Sequence, residues 1–139
     1  MSNQKVFVIN IEEETIKNTF FRRVLFTSNN QQLVVMSLKP KEDIPLEIHP
    51  KHDQFIRVEQ GNGIAIIGKD QNIEHKLSDG FSITIPANTW HRIVNTSSKK
   101  DLKLYTIYSP PEHQPCKVDI DNYKQKYLKY KSKYLESKK

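Results

Sequence analysis

Short runs of β-branched and aromatic residues, each closed by a turn signal, recur along most of this chain. The clearest runs are Val6–Ile9, Val24–Phe26, Leu33–Met36, Ile64–Ile67 and Leu104–Ile107. Asn, Asp, Gly and Ser cluster between them, and these residues favour turns. Strands so short and so frequent predict an all-β barrel or sandwich. A chain of 139 residues can bury one such core, and no helical period of useful length precedes residue 119.

Two segments place side chains that bind metals on or beside these strands. Glu47 and His49 stand two positions apart, so on a strand both point to the same side. The polar residues 50–53 indicate a turn, and a strand returning from Gln54 would form a hairpin that brings Gln54 level with them. His91 follows the alternating segment 81–85. Two imidazoles, one carboxylate and one amide oxygen suit Fe, Mn, Co, Ni or Zn.

The spacing of these segments resembles the two motifs of the cupins, which are small β-barrel proteins. The first cupin motif contains His-x-His, then Glu, then Gly, and in that register its positions are held by Glu47, His49, Gln54 and Gly61. The second motif contains Gly, Pro-x-Gly, His and Asn, matched here by Gly80, Pro86, Asn88, His91 and Asn95. Asn88 replaces the middle glycine, a mild change because Asn tolerates positive φ better than other side chains.

The resemblance covers roughly residues 5–115 and implies an RmlC-like jelly-roll barrel, the double-stranded β-helix of small single-domain cupins. It implies one divalent transition metal, bound by Glu47, His49, Gln54 and His91. Gln54 stands where the family has Glu, while Glu47 supplies the missing charge, which favours a retained metal site. The alternative is a pocket without metal, in which the two histidines form ordinary hydrogen bonds. His52 cannot share a strand face with His49, and we expect it in a turn or at the rim.

The resemblance also implies a class of function. Cupins include phosphosugar isomerases, sugar epimerases and dioxygenases, so the main hypothesis is a metal-dependent isomerase or epimerase acting on a small polar molecule. Glu47 or His52 would serve as the general base if it is not a ligand. The alternatives are a metal-dependent dioxygenase and a non-catalytic ligand-binding or sensor cupin, which the neutral Gln54 favours. A homodimer is expected, because small cupins commonly pair through strand edges.

The net charge of +6 is concentrated near the C-terminus. From Lys117 onward there are eight lysines and three acidic residues, against fourteen basic and thirteen acidic residues before it. A nearly neutral barrel argues against nucleic acid as its partner. Prolines at 110, 111 and 115 indicate a linker, so the predicted domains are a barrel over residues 1–114 and a linker with a C-terminal helix over 115–139.

The last residues contain a short repeat of Tyr, Lys and Leu. Its tyrosines recur at 4-3-4 spacing with two leucines beside them, which predicts an amphipathic helix: Tyr123, Tyr127, Leu128, Tyr130, Tyr134 and Leu135. The repeat resembles C-terminal tails of giant DNA virus proteins. Its apolar face would pack on the barrel or on a second subunit. Alternatively, its lysines would contact an anionic partner, or the tail would be disordered.

Several classes of protein are excluded by what the sequence lacks. No run approaches the roughly 20 apolar residues of a membrane span, and the first residues show no secretory signal. The single cysteine, Cys116, permits no internal disulfide, which fits a reducing compartment. We therefore expect a cytoplasmic protein, located in the host cytoplasm or the virion if the chain is viral.

Overall fold

The structure is a computed structural model that describes residues 5–122. This part of the chain contains one short helix and ten strands. In chain order they are α1 (Ile11–Lys17), β1 (Arg22–Thr27), β2 (Gln32–Leu38), β3 (Asp43–Glu47), β4 (Asp53–Gln60), β5 (Asn62–Ile67), β6 (Ile73–Ser78), β7 (Ser82–Ile85), β8 (His91–Asn95), β9 (Leu102–Ser109) and β10 (Val118–Asp119).

The strands form two antiparallel sheets that close into a jelly-roll barrel, the double-stranded β-helix expected from the sequence. The larger sheet has the order β10-β1-β2-β9-β4-β7, and the smaller has the order β3-β8-β5-β6. Strand β4 shows how alternation builds the interior. Gln54, Ile56 and Val58 are buried, whereas Phe55 and Arg57 between them are more exposed. The apolar core draws on both sheets: Val34, Met36, Leu38, Ile44, Ile56, Val58, Ala65, Ile93, Leu102 and Leu104.

Four of the five strand runs named from the sequence lie within strands, and the first does not. Residues 5–10 form no strand, although Val6–Ile9 has strong β propensity. Val6 and Val8 are 90% and 84% exposed, while the Phe7 ring stacks on Phe26 with centroids 5.2 Å apart. Propensity alone does not make a strand where no neighbouring strand edge offers hydrogen bonds.

Helix α1 was not predicted, because its seven residues are too few to show a period. Local signals nevertheless explain it. The side chain of Asn10 accepts a hydrogen bond from the backbone N–H of Glu13 at 3.0 Å, which caps the first turn. Three glutamates, 12 to 14, lie at the positive end of the helix dipole and Lys17 lies in the last turn.

The hairpin predicted between the strands that carry Glu47 and Gln54 is wrong. β3 pairs with β8 in the smaller sheet, whereas β4 pairs with β7 and β9 in the larger one. The turn over residues 48–52 therefore carries the chain from one sheet to the other. Gln54 consequently reaches the barrel interior from the wall opposite Glu47.

Residues 110–122, here called the C-terminal strap, run back across the barrel after β9. Strand β10 pairs with β1, and the side chain of Asn122 donates to the backbone oxygen of Asp43 at 2.9 Å. Residues 118–119, placed in a linker from the sequence, thus belong to the larger sheet. The Tyr, Lys and Leu repeat of the predicted C-terminal helix begins at Tyr123 and lies outside the described residues. The single helix in residues 5–122 lacks the length and apolar character needed to cross a membrane.

Candidate metal centre

Glu47 and His91 are neighbours across two paired strands. Glu47 is the last residue of β3 and His91 the first of β8, and the register of the pair sets them opposite each other. The pairing shifts by a bulge between Ile44 and Glu47. Bulges re-aim side chains, which here brings the carboxylate of Glu47 within 3.5 Å of His91 Nε2.

His49 lies in the turn that follows β3. The turn is held by the loop before β8, because Asn88 donates its backbone N–H to the oxygen of His49 at 2.8 Å. Asn88 has a φ of +65°, the left-handed conformation for which Asn is well suited. This conformation matches the sequence argument for Asn88 in place of the usual glycine.

Glu47, His49 and His91 form a compact cluster. Glu47 Oε1 lies 3.1 Å from His49 Nε2, and the rings of the two histidines have centroids 5.2 Å apart. One ligand atom from each residue lies within 4.8 Å of the others. His49 and His91 are 8% and 1% exposed, while the Glu47 side chain is 29% exposed. Two imidazoles and one carboxylate with further open positions match the donor set of a first-row metal.

Gln54 is the fourth residue expected at this site, and it is 2% exposed. Its amide nitrogen donates to Thr106 Oγ1 at 3.0 Å, which fixes the orientation of the amide. Its carbonyl oxygen Oε1 is buried and has no hydrogen-bond partner among the described residues. Leaving a buried acceptor unmatched costs about 1–3 kcal/mol, so a carbonyl oxygen in this position suits a cation.

A second buried atom at the cluster lacks a partner. Nδ1 of His91 lies 2.9 Å from the backbone oxygen of Thr89, so this nitrogen carries the proton and donates it. Nε2 then holds a lone pair, is buried, and has no hydrogen-bond partner in residues 5–122. That lone pair faces the carboxylate of Glu47. A cation between the two groups would satisfy both, and the donated Nδ1 proton fixes the tautomer that metal-binding histidines use.

The charges of the cluster act on one another. Burial alone would raise the pKa of Glu47, but the hydrogen bond and charge of His49, together with the nearby His91 imidazole, outweigh it and lower that pKa to about 2. Burial would lower the pKa of His49, yet its hydrogen bond to Glu47 and the negative charges of Glu47 and Glu112 raise it above the usual value. Glu47 therefore favours a proton on His49, and a metal ion bound to both groups would have to displace it.

Glu112, in the C-terminal strap, is a member of the site that sequence reasoning missed. Its Oε2 lies 2.9 Å from His52 Nε2 and 3.6 Å from His49 Nδ1. The other ring nitrogen of His52 lies 2.8 Å from the backbone oxygen of Pro110. His52 therefore lies at the rim, as expected, where it contacts Glu112 and packs edge-on against the His49 ring with centroids 6.1 Å apart. A carboxylate at the outer nitrogen of a histidine orients its ring.

Buried Gln32 holds the strap in place. Its carbonyl oxygen accepts the backbone N–H groups of Glu112 and His113 at 3.1 and 2.9 Å, and its amide donates to the oxygen of His113 at 2.8 Å. The sequence around residue 112 contains no local pattern that predicts this contact, because it joins positions 80 residues apart.

Comparison with known proteins is consistent with this architecture. Residues 34–108 match the family model of the Cupin domain. The chain is similar to an uncharacterized protein of Acanthamoeba polyphaga mimivirus, with 51% identity over 149 residues that cover 98% of this chain and 93% of that protein. It is also similar to the uncharacterized protein YrkC of Bacillus subtilis, with 47% identity over 112 residues that cover 78% of this chain and 60% of that protein.

Solved structures share the barrel. A Bacillus halodurans protein superposes with a TM-score of 0.82 at 45% identity, over 85% of this chain and 91% of that one. A sugar phosphate isomerase of the cupin superfamily from Silicibacter pomeroyi superposes with a TM-score of 0.55 at 18% identity, over 66% of this chain and 60% of that one. At that identity the second likeness concerns the fold alone.

Proposed function

Because this chain belongs to the cupin family, we propose that it is a metal-binding cupin that isomerises or epimerises a small sugar or sugar phosphate. The observation that carries the metal part is a pair of buried atoms, His91 Nε2 and Gln54 Oε1, that have no hydrogen-bond partner among residues 5–122. The ligand atoms of His49 and Glu47 lie within 4.8 Å of that of His91. An apolar or fully hydrogen-bonded pocket would not leave two acceptors unmatched.

The proposed ligands are Glu47, His49, His91 and the carbonyl oxygen of Gln54. Their number and type suit one divalent ion of Fe, Mn, Co, Ni or Zn. Such an ion, when bound, would polarise a carbonyl or hydroxyl oxygen of the substrate. The proton that Glu47 shares with His49 at 3.1 Å would leave as the ion binds, so affinity for the metal should rise with pH.

Isomerisation of a sugar moves a proton between neighbouring carbon atoms, which requires a base within reach of the substrate. With Glu47 bound to the metal, the group available for this task is His52, paired with Glu112 at 2.9 Å. The side chains of His52 and Glu112 are 19% and 28% exposed, so a substrate can reach them. The Silicibacter pomeroyi sugar phosphate isomerase shares the barrel fold, which is the reason to test sugar phosphates first.

Metal analysis of purified protein tests the first half of the proposal. His91→Ala should remove the bound metal after loading with Fe, Mn, Co, Ni or Zn, while circular dichroism shows an intact barrel. His75→Ala is the matched control, because His75 lies exposed on β6. A wild-type protein that never binds a stoichiometric ion would contradict the proposal.

Exchange of a substrate hydrogen with deuterated water tests the second half. Metal-loaded protein should exchange the hydrogen next to the carbonyl of an aldose or ketose phosphate, and His52→Gln should slow this about 100-fold or more while retaining the metal. His75→Gln is the control. If no sugar in the panel exchanges on fully loaded protein, the isomerase proposal fails.

A non-catalytic ligand-binding cupin is the second candidate function. The observation favouring it is Gln54, a neutral amide at the position where the family motif has Glu. An amide does not take up a proton near neutral pH, so Gln54 can bind without supplying the acid–base chemistry that turnover needs. Saturable binding of a sugar acid without turnover or exchange would identify this function.

We also propose a homodimer. The outer surface of the described chain exposes several large apolar side chains: Val6, Val8, Ile73, Phe81, Val118 and Ile120. Apolar groups spread over a small barrel gain from being covered by a second subunit. Light scattering should give twice the mass of one 16.3 kDa chain at micromolar concentration, and a constant single-chain mass would contradict the proposal.

A further inference from the structure

The smaller sheet carries apolar side chains on its outer face as well as on the face that lines the core. Ala65 and Ile93 are paired residues of β5 and β8, and both belong to the core. Because side chains alternate along a strand, the neighbouring residues Ile64, Ile66 and Val94 point away from the core. Ile64 and Val94 lie opposite each other in the register, so these three residues, here called the outer stripe, adjoin one another.

The outer stripe is more buried than a sheet face open to water would be. Ile66 is 7% exposed, and Ile64 and Val94 are half-buried. An antiparallel sheet with one face in water normally carries polar side chains on that face. The single helix of residues 5–122, α1, packs on β2, β4 and β9, which all belong to the larger sheet. The outer stripe therefore suits a covering layer that this part of the chain does not supply as a helix.

The described chain ends beside the outer stripe. Asn122 is 3% exposed, and its side chain donates to the backbone oxygen of Asp43 at 2.9 Å. Asp43 pairs with Val94 across β3 and β8, and β3 forms one edge of the smaller sheet. The segment that follows, residues 123–139, is here called the tail. It therefore starts at this edge, one strand away from Val94.

The tail has the sequence pattern and the length to cover this face. Its tyrosines and leucines predict an amphipathic helix with one apolar side, and lysines occupy many of the other positions. A helix over residues 123–135 would be about 20 Å long. Four strands about 4.8 Å apart span about 14 Å, so such a helix reaches across all four. A helix this short is marginal in water on its own and gains stability from an apolar surface.

We propose that the tail packs its tyrosine and leucine side on the outer stripe of the same chain, with its lysines directed to water. His91 lies two positions before the core residue Ile93 on β8, so it points to the inner face, and Glu47 lies opposite it on β3. The docked tail would thus cover the back of the sheet that holds two proposed metal ligands and would leave the metal centre itself open. The docking does not depend on a bound metal.

Nuclear Overhauser effects in the full-length protein test the contact directly. Four of the six tyrosines lie in the tail, and the other two, Tyr105 and Tyr108, lie on β9 of the larger sheet. Effects between tyrosine ring hydrogens and the methyl groups of Ile64, Ile66 and Val94 therefore report on the tail. We expect them when both groups are labelled on the same chain. Their absence from that sample would overturn the proposal.

A mixed sample distinguishes the same chain from a second copy. One population of full-length protein carries labelled methyl groups with deuterated tyrosine rings, and the other carries protonated rings with unlabelled methyl groups. Only contacts between two chains give an effect in this mixture, so we expect none. An effect as strong as the fraction of mixed pairs allows would mean that a second copy's tail covers the outer stripe, which would also overturn the proposal.

A double-mutant cycle in the full-length, metal-free protein measures the coupling. Ile64→Ser should raise the unfolding equilibrium constant, and so should Tyr127→Ser combined with Tyr130→Ser. Because both changes remove the same contact, together they should raise the constant about fivefold less than the product of their separate effects, or less still. Ile73→Ser is the matched control, because Ile73 is 51% exposed on β6 and its effect should simply multiply with that of the tail variant. Simple multiplication for Ile64→Ser as well would contradict the docking.

Discussion

Gln54→Met and Gln32→Met should change the stability of the metal-free protein in opposite directions. Both glutamines are buried, at 2% and 0% exposure, and methionine has a similar length without branching. Gln32 forms four hydrogen bonds, to Thr27, to the backbone N–H of Glu112, and to both the N–H and the oxygen of His113. Gln54 forms one, to Thr106, and its Oε1 has no partner in the described chain.

The magnitudes follow from those bonds. Losing four hydrogen bonds worth about 1 kcal/mol each should make Gln32→Met cost about 3–4 kcal/mol. Gln54→Met loses one bond of about 1 kcal/mol but removes an unmatched buried oxygen that costs about 1–3 kcal/mol. The free energy of unfolding of metal-free Gln54→Met should therefore equal that of the wild type or exceed it by up to about 2 kcal/mol.

Urea unfolding in the presence of a chelator measures the free energy of unfolding of both metal-free variants. The same experiment with saturating metal measures how much the bound ion stabilises each variant. Gln54→Met should lose much of the stabilisation that metal provides. Its affinity for the metal should fall by at least the roughly 10–100-fold seen when residues that only support the metal ligands are changed. If Gln54→Met instead destabilises the metal-free protein by about as much as Gln32→Met and leaves metal affinity unchanged, Gln54 is structural and the reasoning is refuted.

Three further predictions concern the scaffold. Gly61→Ala should cost about 2–4 kcal/mol, because Gly61 has a φ of +103° and an added Cβ would lie 2.7 Å from the oxygen of Asp101. Gly80→Ala, with a φ of +86° and nothing within 4 Å, should cost only about 1 kcal/mol in the same denaturation assay, and equal costs would contradict the steric argument. His113 has its pKa lowered to about 4 by burial, so the unfolded chain binds the proton more readily. The free energy of unfolding of the metal-free protein should therefore fall by about 1–2 kcal/mol, allowing for solvent screening, as the pH falls from about 6.5 to about 4. His113→Gln should reduce this loss of stability. A chain ending at Gln114 should be less stable than one ending at Asn122, because β10 and the Arg22–Asp119 ion pair are gone. Equal melting temperatures of the two chains would refute this.

The sequence predicted those parts of the molecule that follow from local pattern and motif spacing. Alternation along residues 81–85 and the turn residues around Gly61 and Gly80 identify strands and their ends without reference to the rest of the chain. Glu47, His49 and His91 were expected together because their spacing resembles the cupin motifs. Only the β3–β8 register explains physically why positions 47 and 91 become neighbours.

Other parts depend on contacts that no local pattern encodes. Gln54 was expected beside Glu47 through a hairpin that does not exist, and it lies on β4 of the opposite sheet. Glu112 lies beside His49 and His52 because the C-terminal strap returns to β1 and Gln32. The prolines that marked a linker at 110, 111 and 115 also mark the start of that strap, so composition alone did not distinguish a free connection from a docked one.

The most direct test of the central claim is anomalous diffraction from crystals of metal-loaded protein, recorded on both sides of the absorption edge of the loaded metal. The account predicts one anomalous peak per chain, about 2.0–2.2 Å from His49 Nε2, His91 Nε2 and a Glu47 oxygen, with Gln54 Oε1 also turned toward it. A peak elsewhere, or no peak between these residues in fully loaded protein, would contradict the account.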